Sequence, residues 1–128
     1  MEVTPFNQST ELVEFCGDNS MIVLNNEPMC KGLRDDNDTL QFITDTLGSS
    51  SVAQTLLQWS FNKGFAVALP QSSLAACGAA SAAGAVAASA SAEALLEPLP
   101  LDAIAALDSL EESLKTTWAP LNETEEEK

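Results

Sequence analysis

The chain has 128 residues, 19 of them acidic and 5 basic, with no histidine and no tyrosine, for a formal net charge of −14. That length holds one domain with a modest core, and the charge sets nucleic acid and anionic membrane surfaces aside as partners, since either would be approached against repulsion. Three cysteines, Cys16, Cys30 and Cys77, form no C-x-x-C pair, and without histidine a structural zinc site has almost no ligands.

The first residues, MEVTPFNQ, carry neither a basic n-region nor an apolar h-region. No secretory signal is expected, so the cysteines are expected as free thiols in the cytoplasm. The sequon-like triplets at Asn7, Asn37 and Asn122 are then idle. Val3 to Phe6 is a short extended candidate, with Pro5 tolerated near a strand end. From Thr10, the residues Leu12, Val13, Phe15 and Cys16 recur at helical spacing, Glu11 suits the positive amino end, and Gly17 can end the helix.

"MIVL" at 21 to 24 is a continuous apolar run of the kind expected of a strand buried on both faces, followed by the polar loop "NNEPMCKG". Asp38 or Thr39 can cap a helix whose apolar face is Leu40, Phe42, Ile43 and Leu47, stopped by Gly48. Ser51-Val52-Ala53-Gln54 reads as a capping box opening a second helix, with Leu56, Leu57 and Phe61 on one side and Gly64 at its end. "FAVAL" at 65 to 69 is the third buried-strand candidate, closed by Pro70.

The stretch 74–97 is rich in alanine, serine and glycine, and Ala75 to Ala92 is uncharged with a single Val. Membrane insertion is driven by Leu, Ile, Phe and Val, so no span is expected there, and the composition admits both helix and low-complexity coil. Beyond it, Pro98 and Pro100 precede a helix with the apolar stripe Leu101, Ile104, Ala105, Leu107, Leu110 and Leu114, and Trp118 is expected to cover the core. Residues 122–128, with Glu123, Glu125, Glu126 and Glu127, read as a solvated, disordered tail. The alternation of strand and helix calls for an α/β fold with parallel strands and ligands at their carboxyl ends, here Phe6-Asn7, Asn25-Asn26 and Pro70-Gln71.

Four separated blocks, in matching order and spacing, resemble the last three β/α units of the aldo-keto reductase family. "EVTPFNQSTELVEFC" is similar to that family's sixth strand and helix, with its E-x-H-P-F/Y and L-x-x-x-C wording. "MIVLNNEPMCKG" resembles the seventh strand and its A-Y-S-P-L turn. "SVAQTLLQWSFNKGFAVALPQSS" is similar to P-A-Q-V-L-L-R-W-x-x-x-x-G followed by the eighth strand and a P-K-S turn, and "ALDSLEESLKTTWAP" to the C-terminal helix. The resemblance covers residues 1–121 outside the Ala-rich insert. It implies part of a (β/α)8 TIM barrel, about three parallel strands with flanking helices, from an NADP-dependent carbonyl oxidoreductase that uses no metal.

The resemblance also implies what is missing. The family's catalytic Asp, Tyr, Lys and His belong to units before the sixth strand, so the chain is expected to be truncated and to have no catalytic residue of its own. Hydride transfer to a carbonyl needs a proton donor, and no phenol or imidazole exists in this sequence. Cofactor positions carry over to Pro28, Met29, Gln71, Ser72 and Ser73. Asn26 stands where the family stacks a Tyr on nicotinamide, and Gln71 where it has a Lys. Cys77, Ala80 and Ser81 stand where it has Arg, Glu and Asn.

Losing two charge-assisted bonds, at roughly 1.5 to 3 kcal/mol each, would weaken NADP(H) by about 10² to 10⁴-fold. Read without the resemblance, Ser72 and Ser73 are an ordinary helix N-cap, Asn25, Asn26 and Glu27 a solvated strand exit, Cys30 and Cys77 small buried thiols, and Glu14 and Lys31 surface residues. Two functions follow: a reductase portion that needs its other half from elsewhere, or a non-catalytic relative acting as an interaction or regulatory module. Three strands cannot close a barrel. Open sheet edges and an apolar face therefore predict self-association or a protein partner.

Overall fold

A computed structural model describes residues 1–49, 51–68 and 96–116. The described elements are α1 (Thr10–Asp18), β1 (Leu24–Asn25), a 3₁₀ turn (Cys30–Gly32), α2 (Asp38–Leu47), α3 (Val52–Asn62), β2 (Ala66–Val67) and α4 (Leu101–Asp108). The fold is mixed α/β. β1 and β2 are parallel, in register Leu24 to Ala66 and Asn25 to Val67, so the chain between them must cross over, which it does through α2 and α3.

Val3 to Phe6 is not a strand. Thr4 and Asn7 exchange backbone hydrogen bonds of 3.1 and 3.0 Å, closing a turn around Pro5 and Phe6. The extended ladder lies one step earlier: the Met1 amino group donates to Leu24 O at 2.7 Å and Asn26 N donates to Met1 O at 3.0 Å, the bond pattern of a parallel bridge opposite Asn25. Pro5 has no N–H to give a ladder, which favours ending the extension before it.

The expectation of a strand buried on both faces over 21–24 is also corrected. Val23 is buried, whereas Met21 and Leu24 are half exposed and Ile22 is 83% exposed. Successive strand residues face opposite sides, and only one side of this sheet is covered among the described residues. Val23, Asn25 and Phe65 face α3 with Leu56 and Trp59, whereas Leu24 and its partner Ala66 face away from it. Trp59 and Phe65 meet edge to face, their ring centroids 6.1 Å apart.

α1 keeps the expected spacing, yet no residue of it is buried. Val13 and Cys16 lean on the core, and Leu12 and Phe15 are half exposed. Gly17 lies inside the last turn; the C-cap is Asn19, whose Nδ2 donates to Phe15 O at 2.8 Å. α2 is capped by Asn37, not Asp38 or Thr39, its Oδ1 accepting from Leu40 N at 2.9 Å, and Gly48 ends it with φ of 67°. Leu40 and Ile43 are buried as expected, but Phe42 is 70% exposed because its position on α2 turns away from α3.

Ser51 caps α3, its hydroxyl accepting from Gln54 N at 3.2 Å. The Thr44 and Thr55 hydroxyls meet at 2.9 Å inside the α2–α3 contact, which removes the cost of burying either alone. At the other end of α3, Asn62 Oδ1 accepts from Leu99 N at 2.8 Å and Gln58 Nε2 donates to Glu97 O, fixing the chain that leads into α4.

α4 buries Leu107 completely and half-buries Ile104, with Leu110 and Leu114 packing on the core beyond its end. Leu101, expected on that stripe, is 85% exposed at the first position of the helix. Leu69, Pro70, the Ala-rich stretch through residue 95, Trp118 and the acidic tail lie outside the described residues.

Candidate functional site: the strand ends and the strap over them

The resemblance placed cofactor residues in the loop after β1. Pro28 and Met29 are both buried, Met29 only 5% exposed, and the loop is held from within by two neighbours. Asn25 Oδ1 accepts from Glu27 N at 3.3 Å, and Glu27 Oε1 accepts from Lys31 N at 3.2 Å. Gln71, Ser72 and Ser73 lie outside the described residues.

Cys30, Lys31 and Gly32 follow with φ of 53°, 52° and 75°. Three consecutive left-handed residues, two of them not glycine, cost roughly 1 to 2 kcal/mol per non-glycine position. Gly32 N to Met29 O and Leu33 N to Cys30 O, both 3.0 Å, close the turn and offset part of that cost. Cys30 is fully buried, and burial pushes its thiol up to about 11, with the nearby Glu2 and Glu27 charges adding to the rise and a hydrogen bond with Thr4 opposing it. Cys30 is thus the small buried thiol expected from the sequence, and a raised pKa keeps it protonated at neutral pH.

Residues 111–116 form a strap across the same end of the fold. Phe6 O accepts from both Glu112 N and Leu114 N at 3.0 Å. The Glu2 carboxylate accepts from Thr116 N at 2.8 Å and from Thr116 Oγ1 at 2.7 Å. Gln8 Nε2 donates to Asp108 O, and Lys31 Nζ to Thr116 O at 2.6 Å. Arg34 pairs with Glu112 at 2.5 Å.

The strap contacts the cations of the loop. Cationic side chains can add charge-assisted bonds to a phosphate group. The two bases of this loop, Lys31 and Arg34, are engaged by the strap, and Glu2 and Glu27 bring negative charge beside Cys30. The sequence contained no sign of this, because every strap contact joins residues more than 75 positions apart.

Beside the strap, at the carboxyl end of the Met1 segment and β1, an open cleft of about 380 Å³ is lined by Glu2, Asn7, Ser9, Leu12, Asn26 and Lys115, with Met1. A second opening, toward Glu11, Glu111 and Ser113, shares Asn7, Ser9, Leu12 and Lys115 with it. Of the strand ends named from sequence, Asn7 and Asn26 both line this cleft. Asn26 is exposed, and Asn25, expected as solvated, is fully buried. Ser9 and Lys115 were not anticipated, and no local pattern marks them. No group of three or more Cys, Asp or Glu able to hold a metal ion occurs among the described residues, and no described helix is long and apolar enough to cross a membrane.

The chain superposes on the crystal structure of MGS-M4, an aldo-keto reductase enzyme from a Medee basin deep-sea metagenome library, with a TM-score of 0.67 and 14% sequence identity. The match covers 96% of this chain and 42% of that one. The chain has the fold of part of an aldo-keto reductase. No family model matches the chain, and a search of the curated proteins by sequence finds no match. The likeness bears on the fold; closure of a barrel is not observed, since two strands and the Met1 bridge make the described sheet.

Proposed function

We propose that this chain is the cofactor-side portion of an aldo-keto-reductase-like barrel, without carbonyl reductase activity of its own, and that it works by joining further β/α units. The observation that carries the reading is the match of nearly the whole chain to less than half of a reductase, in a sequence with no tyrosine and no histidine to protonate a reduced carbonyl. The engagement of Lys31 and Arg34 by the strap, and Gln71 and Cys77 in place of the family's Lys and Arg, support weak or lost NADP(H) binding. Were NADP(H) held at all, Pro28, Met29, Gln71, Ser72 and Ser73 are the positions that would line it.

The exposed Ile22, Leu24 and Ala66 face and the open edges of the sheet favour a protein partner or self-association over an independent enzyme. We take the cytoplasm as the working compartment. Sedimentation of the purified chain tests the association: assembly beyond the monomer at micromolar concentration, lost on Leu24→Lys, supports it. A compact monomer with a single cooperative unfolding transition would contradict it.

A further inference from the structure

We propose that the groove between α2 and α4 docks a basic amphipathic helix of a protein partner. The partner's apolar stripe would lie along the groove, and its lysine or arginine side chains against the acids that border it.

The groove follows from the residues each helix presents. Phe42, Ile43 and Leu47 recur at intervals of one, four and five along α2 and share one of its faces. α4 meets that face with Ala103 and Ala106, side chains too short to fill the space between the helices, and an opening of about 470 Å³ remains. Ile43 is buried, and Leu47, Ala103 and Ala106 are partly buried against the core, so the floor is fixed. Phe42 is 70% exposed beside it, and Leu101, flanked by the groove residues Pro100 and Asp102, is 85% exposed. The apolar strip thus runs past the opening itself. A strip of this kind along a pair of packed helices suits a third helix, anchored through side chains three and four residues apart.

Charge selects the partner. Asp38 and Asp45 lie four residues before and three residues after Phe42, on its side of α2, and both are exposed. Asp102 borders the groove from α4, its Oδ1 accepting from Ala103 N at 3.0 Å. Neither helix contains a lysine or an arginine. The ion pairs among the described residues, Arg34 with Glu112 and Lys63 with Asp108, involve none of these three acids. An apolar floor bordered by acids on both helices, in a chain of net charge −14, attracts a cationic partner and repels an acidic one. A second copy of this chain would set the same acids against one another, so self-association is disfavoured at this face. No groove residue belongs to the exposed sheet face of Ile22, Leu24 and Ala66, and docking here is independent of barrel completion.

The probe is a labelled synthetic peptide about as long as α2, with leucine at helical spacing and lysine elsewhere. The full chain is titrated into it at fixed ionic strength and followed by fluorescence anisotropy. Saturable binding is expected, and a peptide of the same composition in scrambled order should bind about tenfold more weakly or worse. Phe42→Ser, an exposed substitution, should weaken binding about tenfold. Asp102→Asn should weaken it roughly two- to fivefold and flatten its salt dependence. Glu14→Gln, which removes an exposed acid from α1, should leave the affinity unchanged. A scrambled peptide that binds equally well, a Phe42→Ser chain with the parent's affinity, or a Glu14→Gln chain weakened as much as Asp102→Asn would reduce the binding to general attraction between opposite charges and overturn the proposal.

Discussion

Replacing Asn25 by alanine should unfold much of the protein's margin. Its carboxamide is wholly buried and bridges three segments. Oδ1 accepts from Val3 N at 3.1 Å and from Glu27 N at 3.3 Å, while Nδ2 donates to Val3 O at 2.5 Å and to Ser60 Oγ at 3.1 Å. The substitution orphans two N–H groups and one carbonyl in the core. At about 1 to 3 kcal/mol for each orphaned group, with some recovery from water entering the hole, the expected loss is about 3 to 5 kcal/mol. Total stability for a domain of this size is about 5 to 15 kcal/mol.

Asn25→Asp sharpens the argument. A carboxylate oxygen would face Val3 O where a donor now sits, so the ionised form is disfavoured and the folded pKa rises above the unfolded value near 3.9. The stability of this variant should therefore be greatest below about pH 4 and fall as pH rises through the folded pKa. Urea denaturation followed by tryptophan fluorescence reads both. A loss under about 1 kcal/mol for Asn25→Ala at unchanged m-value, or an Asn25→Asp variant whose stability relative to the parent is flat with pH, would refute the reasoning.

Three further outcomes are expected. Cys30, raised from 9.0 to about 11 by burial, should react with a thiol reagent at pH 8 only as fast as the protein opens; because its folded value is the higher one, its contribution to stability is present below pH 9 and lost as pH climbs toward 11. Fast stoichiometric labelling of the native state at position 30 would count against the burial argument. Asp108 binds Trp59 Nε1 at 2.8 Å and Lys63 at 2.6 Å, with Lys63 5.5 Å from the indole centroid. Asp108→Ala should cost about 1 to 2 kcal/mol and red-shift the Trp59 emission; an unchanged spectrum would mean the indole is not held there. Ile22→Lys, on the uncovered sheet face, should leave stability within about 0.5 kcal/mol of the parent while raising solubility; a loss above about 2 kcal/mol would mean that this face is packed in solution.

Features set by neighbours in sequence were legible, and features set by distant partners were not. Gly48 stops α2 because a left-handed position there suits glycine, and Ser51 caps α3 because its hydroxyl reaches three residues on; both are local geometry. The cap of α2 moved to Asn37 because three adjacent residues, Asn37, Asp38 and Thr39, are all competent caps, and composition does not rank them. Met21, Ile22 and Leu24 look like a doubly buried strand because apolar runs carry no record of how many layers surround them. Phe42 fits the same periodicity as Leu40 and Ile43 yet points outward.

The candidate site divides in the same way. The strand-end rule brought Asn7 and Asn26 forward, and the family likeness brought Pro28 and Met29. The strap that occupies Lys31 and Arg34 depends on Glu2, Phe6 and Gln8 meeting residues 108–116, which no spacing rule anticipates. Asn25 carried one usable signal, an amide directly after four apolar residues, and a buried amide in such a place is a network member more often than a solvated one.

The most direct test of the account is the chain's own behaviour toward the nicotinamide cofactor and a carbonyl. Purified chain free of contaminating reductase would be titrated with NADPH by fluorescence and then assayed for NADPH oxidation with a panel of aldehydes and ketones. The account predicts no saturation in the micromolar range and no oxidation above the buffer rate. Micromolar binding together with enzyme-proportional NADPH consumption would contradict it.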